Sequence, residues 1–193
     1  MQSTCLAKGG RTLNGPGTDP GLCPIAPPAY RIGPDAGFEH NHKSLMPGRV
    51  EGLWSKRAHR GRMDQLREAT LVAGKGMAGS VDRSRRRQVT LLAREAWNEA
   101  VSTIAEDPGP AARRANILIS GIELPYMRGR ILRIGACRLA IGGELTPCER
   151  MDEASPGLRQ ALQENWRGGV FAQVLDGGTI RIGDSVEWET SSS

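Results

Sequence analysis

Short strand-like stretches separated by glycine-rich turns recur from residue 46 almost to the end of the chain, and this pattern constrains the fold most. RVEGLW opens the series and GTIRIGDSVEW closes it. The 193 residues include 25 glycines and 12 prolines, while only 4% are aromatic. Such a composition favours many turns and short strands over a bundle of long helices. We therefore expect a mainly β domain with a few short helices, in a chain long enough to bury its own core.

The N-terminal part of the sequence differs from the rest. Residues 1–45 contain many glycines and prolines and show no sustained period of 2 or 3.6. Such a segment has too few regularly spaced apolar residues to bury a core. We expect a flexible N-terminal extension at residues 1–45, followed by one domain at residues 46–190.

Within the domain, two segments are expected to be helical. Trp97, Val101 and Ile104 in AREAWNEAVSTIAED have helical spacing, which predicts one packed helix with Trp97 in the core. Further along, Ser155 before Pro156 predicts a capped helix, and Leu158, Leu162 and Trp166 are expected to line its inner face.

Two strand pairings are also expected from turn residues. RILRIG and CRLAIG are expected to pair as a bent ribbon broken at Gly135. The Asp-Gly step in VLDGGTIRIG, at residues 176–177, predicts a tight hairpin.

The charge balance points to an anionic partner. Lysine and arginine number 26 and acidic residues 21, for a formal net charge of +5. A phosphate-bearing cofactor and a nucleic acid both fit this charge. The sequence shows no apolar run of membrane-spanning length and no secretory signal, which predicts a cytoplasmic protein without a membrane partner.

The four cysteines have to be judged one by one, because Cys5, Cys23, Cys137 and Cys148 show neither CxxC spacing nor partnered histidines. Cys137 alternates with Leu139 and Ile141, so we expect a buried thiol that packs as a small apolar group.

Cys148 has different surroundings. It follows Pro147, lies next to Glu149-Arg150 and occupies a connection between a strand and a helix. Positive charge favours the thiolate, the form that attacks electrophiles and binds soft metals. From spacing alone, a half-buried loop cysteine without a chemical role explains Cys148 equally well.

From about Gly48 to Trp188 the sequence resembles the MOSC family, which is named after the C-terminal domain of molybdenum-cofactor sulfurases. RRANILISGI, GRILRIGACRLAIGGELTPCERM and RGGVFAQVLDGGTIRIGDSVEW carry the likeness, in that order. A cysteine loop between an Arg-x-Asn strand and an Arg-Gly-Gly turn followed by Ile-x-x-Gly-Asp is a specific combination. The opening VEGLW is similar to the small stand-alone bacterial members. The resemblance implies a MOSC-type β-barrel.

The resemblance also implies a set of site residues. Cys148 matches the reactive cysteine, which would ligate molybdenum or hold sulfur as a persulfide. Arg114, Asn116 and Arg167 match polar positions near that loop and are expected to bind the cofactor. Asp82 lies near the acidic position of the family's Gly-rich turn, although GSVD replaces the more frequent Gly-Asp pair.

Two of these assignments keep a structural alternative. Alternation along a strand would point only one of Arg113 and Arg114 inward, so at most one of them is expected in a site. Asn116 could instead cap a strand end or satisfy buried backbone groups.

The function implied by the resemblance is binding of the molybdenum cofactor (molybdopterin) or carriage of its sulfur through Cys148. The chain would act as a sulfur-transfer protein or as a reductase component that reduces N-hydroxylated compounds with a redox partner. It has no room for the pyridoxal-phosphate domain of sulfurases, so a separate sulfur donor would be needed. The alternative is a non-enzymatic β-barrel that binds single-stranded nucleic acid, which the few aromatic residues disfavour.

Overall fold

The computed structural model describes residues 48–58, 61–81 and 84–190. These residues form strands joined by short helices and two 3₁₀ turns, Pro110–Arg113 and Glu164–Trp166. The strands are β1 (Gly48–Lys56), β2 (Met63–Leu66), β3 (Glu68–Val72), β4 (Gly76–Met77), β5 (Val89–Ala93), β6 (Ile117–Ser120), β7 (Ile131–Ile134), β8 (Cys137–Glu144), β9 (Val170–Asp176), β10 (Gly178–Arg181) and β11 (Ser185–Trp188). The helices are α1 (Arg94–Val101), α2 (Arg150–Ala154) and α3 (Leu158–Ala161). The extension expected at residues 1–45 lies outside the described residues, so the boundary at residue 46 stays a prediction.

Seven strands close into a barrel. Their order is β11-β7-β8-β9-β5-β6-β1, and β1 pairs with β11 to complete the ring. The neighbouring strands are antiparallel except β5 and β6, which are parallel. β2 adds to β1 as an eighth strand, while β10, β3 and β4 form a second sheet. The expected mainly β fold, a MOSC-type barrel with short helices, is confirmed.

Alternation along the strands produces the barrel core. In β8 the side chains of Cys137, Leu139 and Ile141 are buried, while those between them are partly exposed. These three residues join the larger apolar cluster, together with Leu91 of β5 and Val186 of β11. The expectation of a buried Cys137 is therefore confirmed.

A second apolar cluster lies between the helices and the barrel wall. β5 is buried on both faces: Leu91 belongs to the barrel core and Leu92 belongs to this second cluster. Trp97 of α1 is fully buried in the second cluster, as expected. Met151 and Leu158 bring α2 and α3 to the same cluster. This packing fixes the helices that follow the Cys148 loop.

Of the two expected strand pairings, one is confirmed and one is wrong. β7 and β8 form an antiparallel hairpin around Gly135, whose φ is 55°. After Gly177, however, β10 pairs with β3 and not with β9. A Cβ atom on Gly177 would lie 2.5 Å from the carbonyl oxygen of Leu71. The glycine therefore permits close approach of β3, and the chain leaves the barrel where a tight hairpin was expected.

The expected helix cap at Ser155 is also wrong. Ser155 ends α2 with extended backbone angles, and its Oγ donates a hydrogen bond to the carbonyl oxygen of Glu106 at 3.1 Å. α3 begins only after Gly157, whose φ is 85°. Leu158 and Leu162 are buried in the second cluster, whereas Trp166 packs against the barrel cluster. α3 ends at Ala161, and a separate 3₁₀ turn follows at Glu164–Trp166, so the single helix that the spacing suggested is interrupted before Trp166.

Candidate functional site

A cavity of about 330 Å³ opens beside Cys148 and is called the Cys148 cavity below. Its wall combines backbone and side chains of β1, β5 and the loops before β6 and α2. None of its lining residues that the structure describes is acidic, whereas five are basic: Lys56, Arg87, Arg113, Arg114 and Arg150. Its volume and its positive charge suit a small anionic ligand.

Cys148 lies in the loop that joins β8 to α2. Its side chain is exposed, in contrast to the buried Cys137. The loop is held at both ends, because the Leu145 amide donates to the Gly169 carbonyl at 2.8 Å and the Met151 amide donates to the Cys148 carbonyl at 3.0 Å. The structure therefore presents this thiol to solvent and to the cavity from a fixed loop.

The side chain of Arg113 is buried beneath the loop that carries Cys148 and donates hydrogen bonds to its surroundings. Its side chain is only 4% exposed, and its Nε donates a hydrogen bond to the Gly168 carbonyl at 2.7 Å. Its Nη2 donates to the Leu145 carbonyl, three residues before Cys148. Burial lowers the pKa of Arg113 to about 10, while a thiolate at Cys148 acts in the opposite direction. A negative charge in the cavity would therefore stabilise the buried guanidinium.

Arg113 and Arg114 both line the cavity, so the expectation that alternation admits at most one of them is wrong. Arg113 ends a 3₁₀ turn and Arg114 has a left-handed backbone with φ of 62°, so neither belongs to a strand. Arg114 donates from Nη2 to the Gly61 carbonyl at 2.7 Å. Strand alternation does not apply at this turn.

The cations of the cavity repel one another. The pKa of Lys56 is lowered by burial first and then by the charges of Arg114 and Arg150. The pKa of Arg114 is likewise lowered by burial and by Arg150. For both groups a thiolate at Cys148 acts in the opposite direction. A bound anion would relieve the same repulsion.

Asn116 also lines the cavity, but its amide is occupied by the strands around it. Its Oδ1 accepts hydrogen bonds from the Thr90 amide at 3.2 Å and from the Thr90 hydroxyl at 3.0 Å. Its Nδ2 donates to the Trp54 carbonyl at 3.2 Å. These contacts match the structural alternative for Asn116, and a role in cofactor binding stays a prediction.

Arg167 lines a different cavity. Its guanidinium pairs with Glu99 and with Glu164, the latter at 2.8 Å. That second cavity, of about 530 Å³, also contains Glu95 and Glu123. The hydrogen bonds and charge of Glu99 raise the pKa of Arg167. Arg167 therefore pairs with carboxylates in a cavity other than the Cys148 cavity. Its position gives no support to the prediction that it contacts the cofactor.

The two glycines after Arg167 permit close backbone approaches, of Gly168 to the loop that carries Cys148 and of Gly169 to β5. A Cβ atom on Gly168 would lie 2.7 Å from the Leu145 carbonyl oxygen, and one on Gly169 would lie 2.1 Å from the Leu91 carbonyl oxygen. Gly169 also has φ of 91°. The Arg-Gly-Gly motif therefore acts here through the Gly168 carbonyl, which holds Arg113.

Asp82 lies outside the described residues, and its predicted role is untested. Lys56 and Arg87 are lining residues that sequence reasoning missed. In the sequence these two residues belong to the basic segments SKRAHRGRM and RSRRRQ. A basic segment does not show which of its cations line a cavity.

Protein ligands for a metal are sparse in this region. Among the described residues, no three His, Cys, Asp or Glu side chains come close enough together to hold a metal ion.

Fold and site together define a β-barrel protein that displays an exposed cysteine, Cys148, beside a cavity with basic lining residues. The MOSC domain model matches residues 56–187, and the chain belongs to the MOSC domain family. The described residues contain no helix that is both long and apolar enough to span a membrane.

Solved structures share the fold at low sequence identity. The YuaD protein from Bacillus subtilis is 20% identical with a TM-score of 0.64, over 73% of this chain and 94% of that chain. YiiM from Escherichia coli is 17% identical with a TM-score of 0.56, over 75% and 71% of the two chains. YiiM from Geobacillus stearothermophilus is 12% identical with a TM-score of 0.59, over 75% and 76%. A search of curated proteins gives no match.

Proposed function

We propose that this MOSC protein binds the molybdenum cofactor in the Cys148 cavity and that Cys148 ligates its metal or carries its sulfur. The observation that supports the proposal is the pairing of one exposed thiol with five cations in a cavity whose described lining residues include no carboxylate. A phosphate-bearing group supplies the missing negative charge, and molybdenum accepts thiolate ligands.

The residues present fit such a cofactor. Lys56, Arg114 and Arg150 would hold its phosphate, and Cys148 would be the protein ligand of its metal. Arg113 is a positioning residue, since it ties the carbonyl of Leu145 to that of Gly168 beneath the cysteine loop. When bound, the cofactor supplies a metal centre capable of two-electron redox chemistry.

As a sulfur carrier, Cys148 would act by thiol exchange. Its thiolate attacks the outer sulfur of a donor persulfide, so that a new sulfur–sulfur bond forms on Cys148. The donor's sulfur–sulfur bond breaks, and the donor leaves as a thiolate. No net oxidation occurs, and nearby cations stabilise the attacking thiolate.

As a reductase component, the chain would receive electrons from a redox partner. Reduction of an N-hydroxylated compound breaks the N–O bond, consumes two electrons and two protons, and releases water. The sulfur donor, the redox partner and a cytoplasmic location are parts of the proposal.

Elemental analysis tests the proposal on the full chain purified from a host that makes the cofactor. We expect molybdenum and phosphorus to co-purify, or an additional sulfur on Cys148. Retention of a single-stranded oligonucleotide at physiological salt, with neither metal nor additional sulfur, would favour the nucleic-acid alternative.

A further inference from the structure

A row of arginines extends outwards from the Cys148 cavity, and of these arginines only Arg87 lines that cavity. It consists of Arg85, Arg86 and Arg87 in the loop before β5, with Arg128 beside them, and is called the arginine ridge below. Arg87 lines the Cys148 cavity. Arg86 and Arg128 line a neighbouring cavity of about 350 Å³, to which Phe171 also contributes. The ridge is therefore continuous with the rim of the Cys148 cavity.

The four side chains are exposed, and none of them pairs with a carboxylate among the described residues. Elsewhere arginines do find such partners: Arg138 contacts Glu189 at 2.7 Å, and Arg181 contacts Glu68 at 3.1 Å. Adjacent like charges repel, so an unpaired cluster of this kind is most stable against an anionic surface.

The backbone of the ridge is held in place. The Arg85 carbonyl accepts hydrogen bonds from Gln88 Nε2 at 3.1 Å and from Gln173 Nε2 at 2.8 Å. The Arg87 amide donates to Ser84 Oγ at 2.9 Å. A fixed loop displays its charges without the entropy cost of ordering on binding.

We propose that the arginine ridge is a docking surface for an acidic protein that delivers sulfur or electrons to Cys148. The purpose of docking rests on the proposed function, whereas the binding itself does not require the cofactor. Positive charge at the rim would raise the rate of encounter with an acidic partner and orient it over the thiol.

An acidic protein fits the ridge better than a single-stranded nucleic acid, because the one aromatic ring among the described residues that line the neighbouring cavity is half-buried and already has contacts. Phe171 lies so close to Gly142 that a Cβ atom there would be 2.3 Å from the ring. The guanidinium of Arg87 lies over Phe171 at 5.7 Å from its centroid. Bases stack on free aromatic faces, and this half-buried ring already contacts Gly142 and Arg87.

Protection of Cys148 from a neutral reagent tests the proposal on the full chain without cofactor. Iodoacetamide alkylation of Cys148 would be followed by mass spectrometry with and without poly-L-glutamate. We expect poly-L-glutamate to slow alkylation at least about threefold at low ionic strength, and the protection to fade as salt shortens the screening length.

The triple variant Arg85→Ser, Arg86→Ser, Arg128→Ser should lose this protection while its unprotected alkylation rate stays unchanged. The matched control is Arg49→Ser, Arg67→Ser, Arg159→Ser, which removes the same charge from exposed positions that do not line the Cys148 cavity. Equal protection of the ridge variant and the control would overturn the proposal.

A thymidine oligonucleotide of equal charge serves as the competing probe. The contrary result is that the oligonucleotide protects Cys148 more strongly than poly-L-glutamate does and that the ridge variant loses this protection. That result would identify the ridge as a nucleic-acid site and refute the acidic-protein proposal. Molybdenum or persulfide content measures the proposed function separately, because the ridge variant keeps Lys56, Arg114, Arg150 and Cys148.

Discussion

Arg113 and Gly168 are 55 residues apart in sequence, yet the Nε of Arg113 donates a hydrogen bond to the Gly168 carbonyl at 2.7 Å. The same guanidinium donates to the Leu145 carbonyl. One buried side chain thus joins the turn after Arg167 to the loop that carries Cys148. We therefore expect the position of the exposed thiol to depend on this buried cation.

Arg113→Met should destabilise the protein by about 2 kcal/mol, because two buried carbonyls lose their donors while the cost of burying a charge disappears. Urea denaturation would measure the change. Arg114→Met is the control, since the pKa of Arg114 is also lowered by burial but its side chain makes one hydrogen bond, to Gly61. An unchanged midpoint for Arg113→Met would show that the bridge does not hold the loop.

Asn116→Ala should cost about 2–3 kcal/mol of unfolding free energy, because it removes three hydrogen bonds that join β1, β5 and β6. Thr90→Val removes one of these bonds and the bond that the Thr90 hydroxyl accepts from the backbone amide of Asn116, but that amide keeps its bond to the Thr90 carbonyl, so the variant should cost less. Thermal unfolding of both variants tests the structural role. Full stability with loss of cofactor would instead make the amide a ligand group.

Substitutions of Arg114 and Arg167 should differ in their effect on sulfate affinity. Arg114→Gln removes a cation from the Cys148 cavity and should weaken sulfate binding about tenfold, or 1.4 kcal/mol. Arg167→Gln should leave sulfate affinity unchanged, since this arginine lines the other cavity and pairs with Glu99 and Glu164. Sulfate titration followed by calorimetry measures both. Weaker binding in Arg167→Gln alone would restore the prediction made from the sequence.

Sulfate affinity should fall as pH rises through the pKa of Lys56, which burial and the charges of Arg114 and Arg150 lower from its usual range. Loss of the proton removes a positive charge from the cavity, so binding is strongest below the lowered pKa and weakens through it. Sulfate keeps its own charge over this range. Lys56→Arg should flatten the profile, because a guanidinium stays protonated. An identical profile in that variant would exclude Lys56 from anion binding.

Much of the barrel could be predicted from alternation and turn residues. The pattern of Cys137, Leu139 and Ile141 fixed which face of β8 is buried, and it separated Cys137 from the exposed Cys148. Trp97 could be assigned to the core because apolar residues at helical spacing indicate that one face of the helix is buried.

The errors arose where a non-local contact decided the local structure. Gly177 resembles a hairpin turn residue, but its lack of a side chain serves the approach of Leu71 in another sheet. Arg113 occupies a 3₁₀ turn, so alternation could not show that it and Arg114 reach the same cavity. The pairing of Arg167 with Glu99 is no more visible in sequence, since Glu99 lies 68 residues away.

We propose that Cys148, and not Cys137, carries the metal or the sulfur. Molybdenum and persulfide would be quantified in the native chain, in Cys148→Ser and in Cys137→Ser, all purified from a host that makes the cofactor. We expect Cys148→Ser to lose both with little change in stability, whereas Cys137→Ser should keep them but unfold more readily, because a hydroxyl would replace a thiol that is 0% exposed. Full metal or persulfide content in Cys148→Ser would contradict the account.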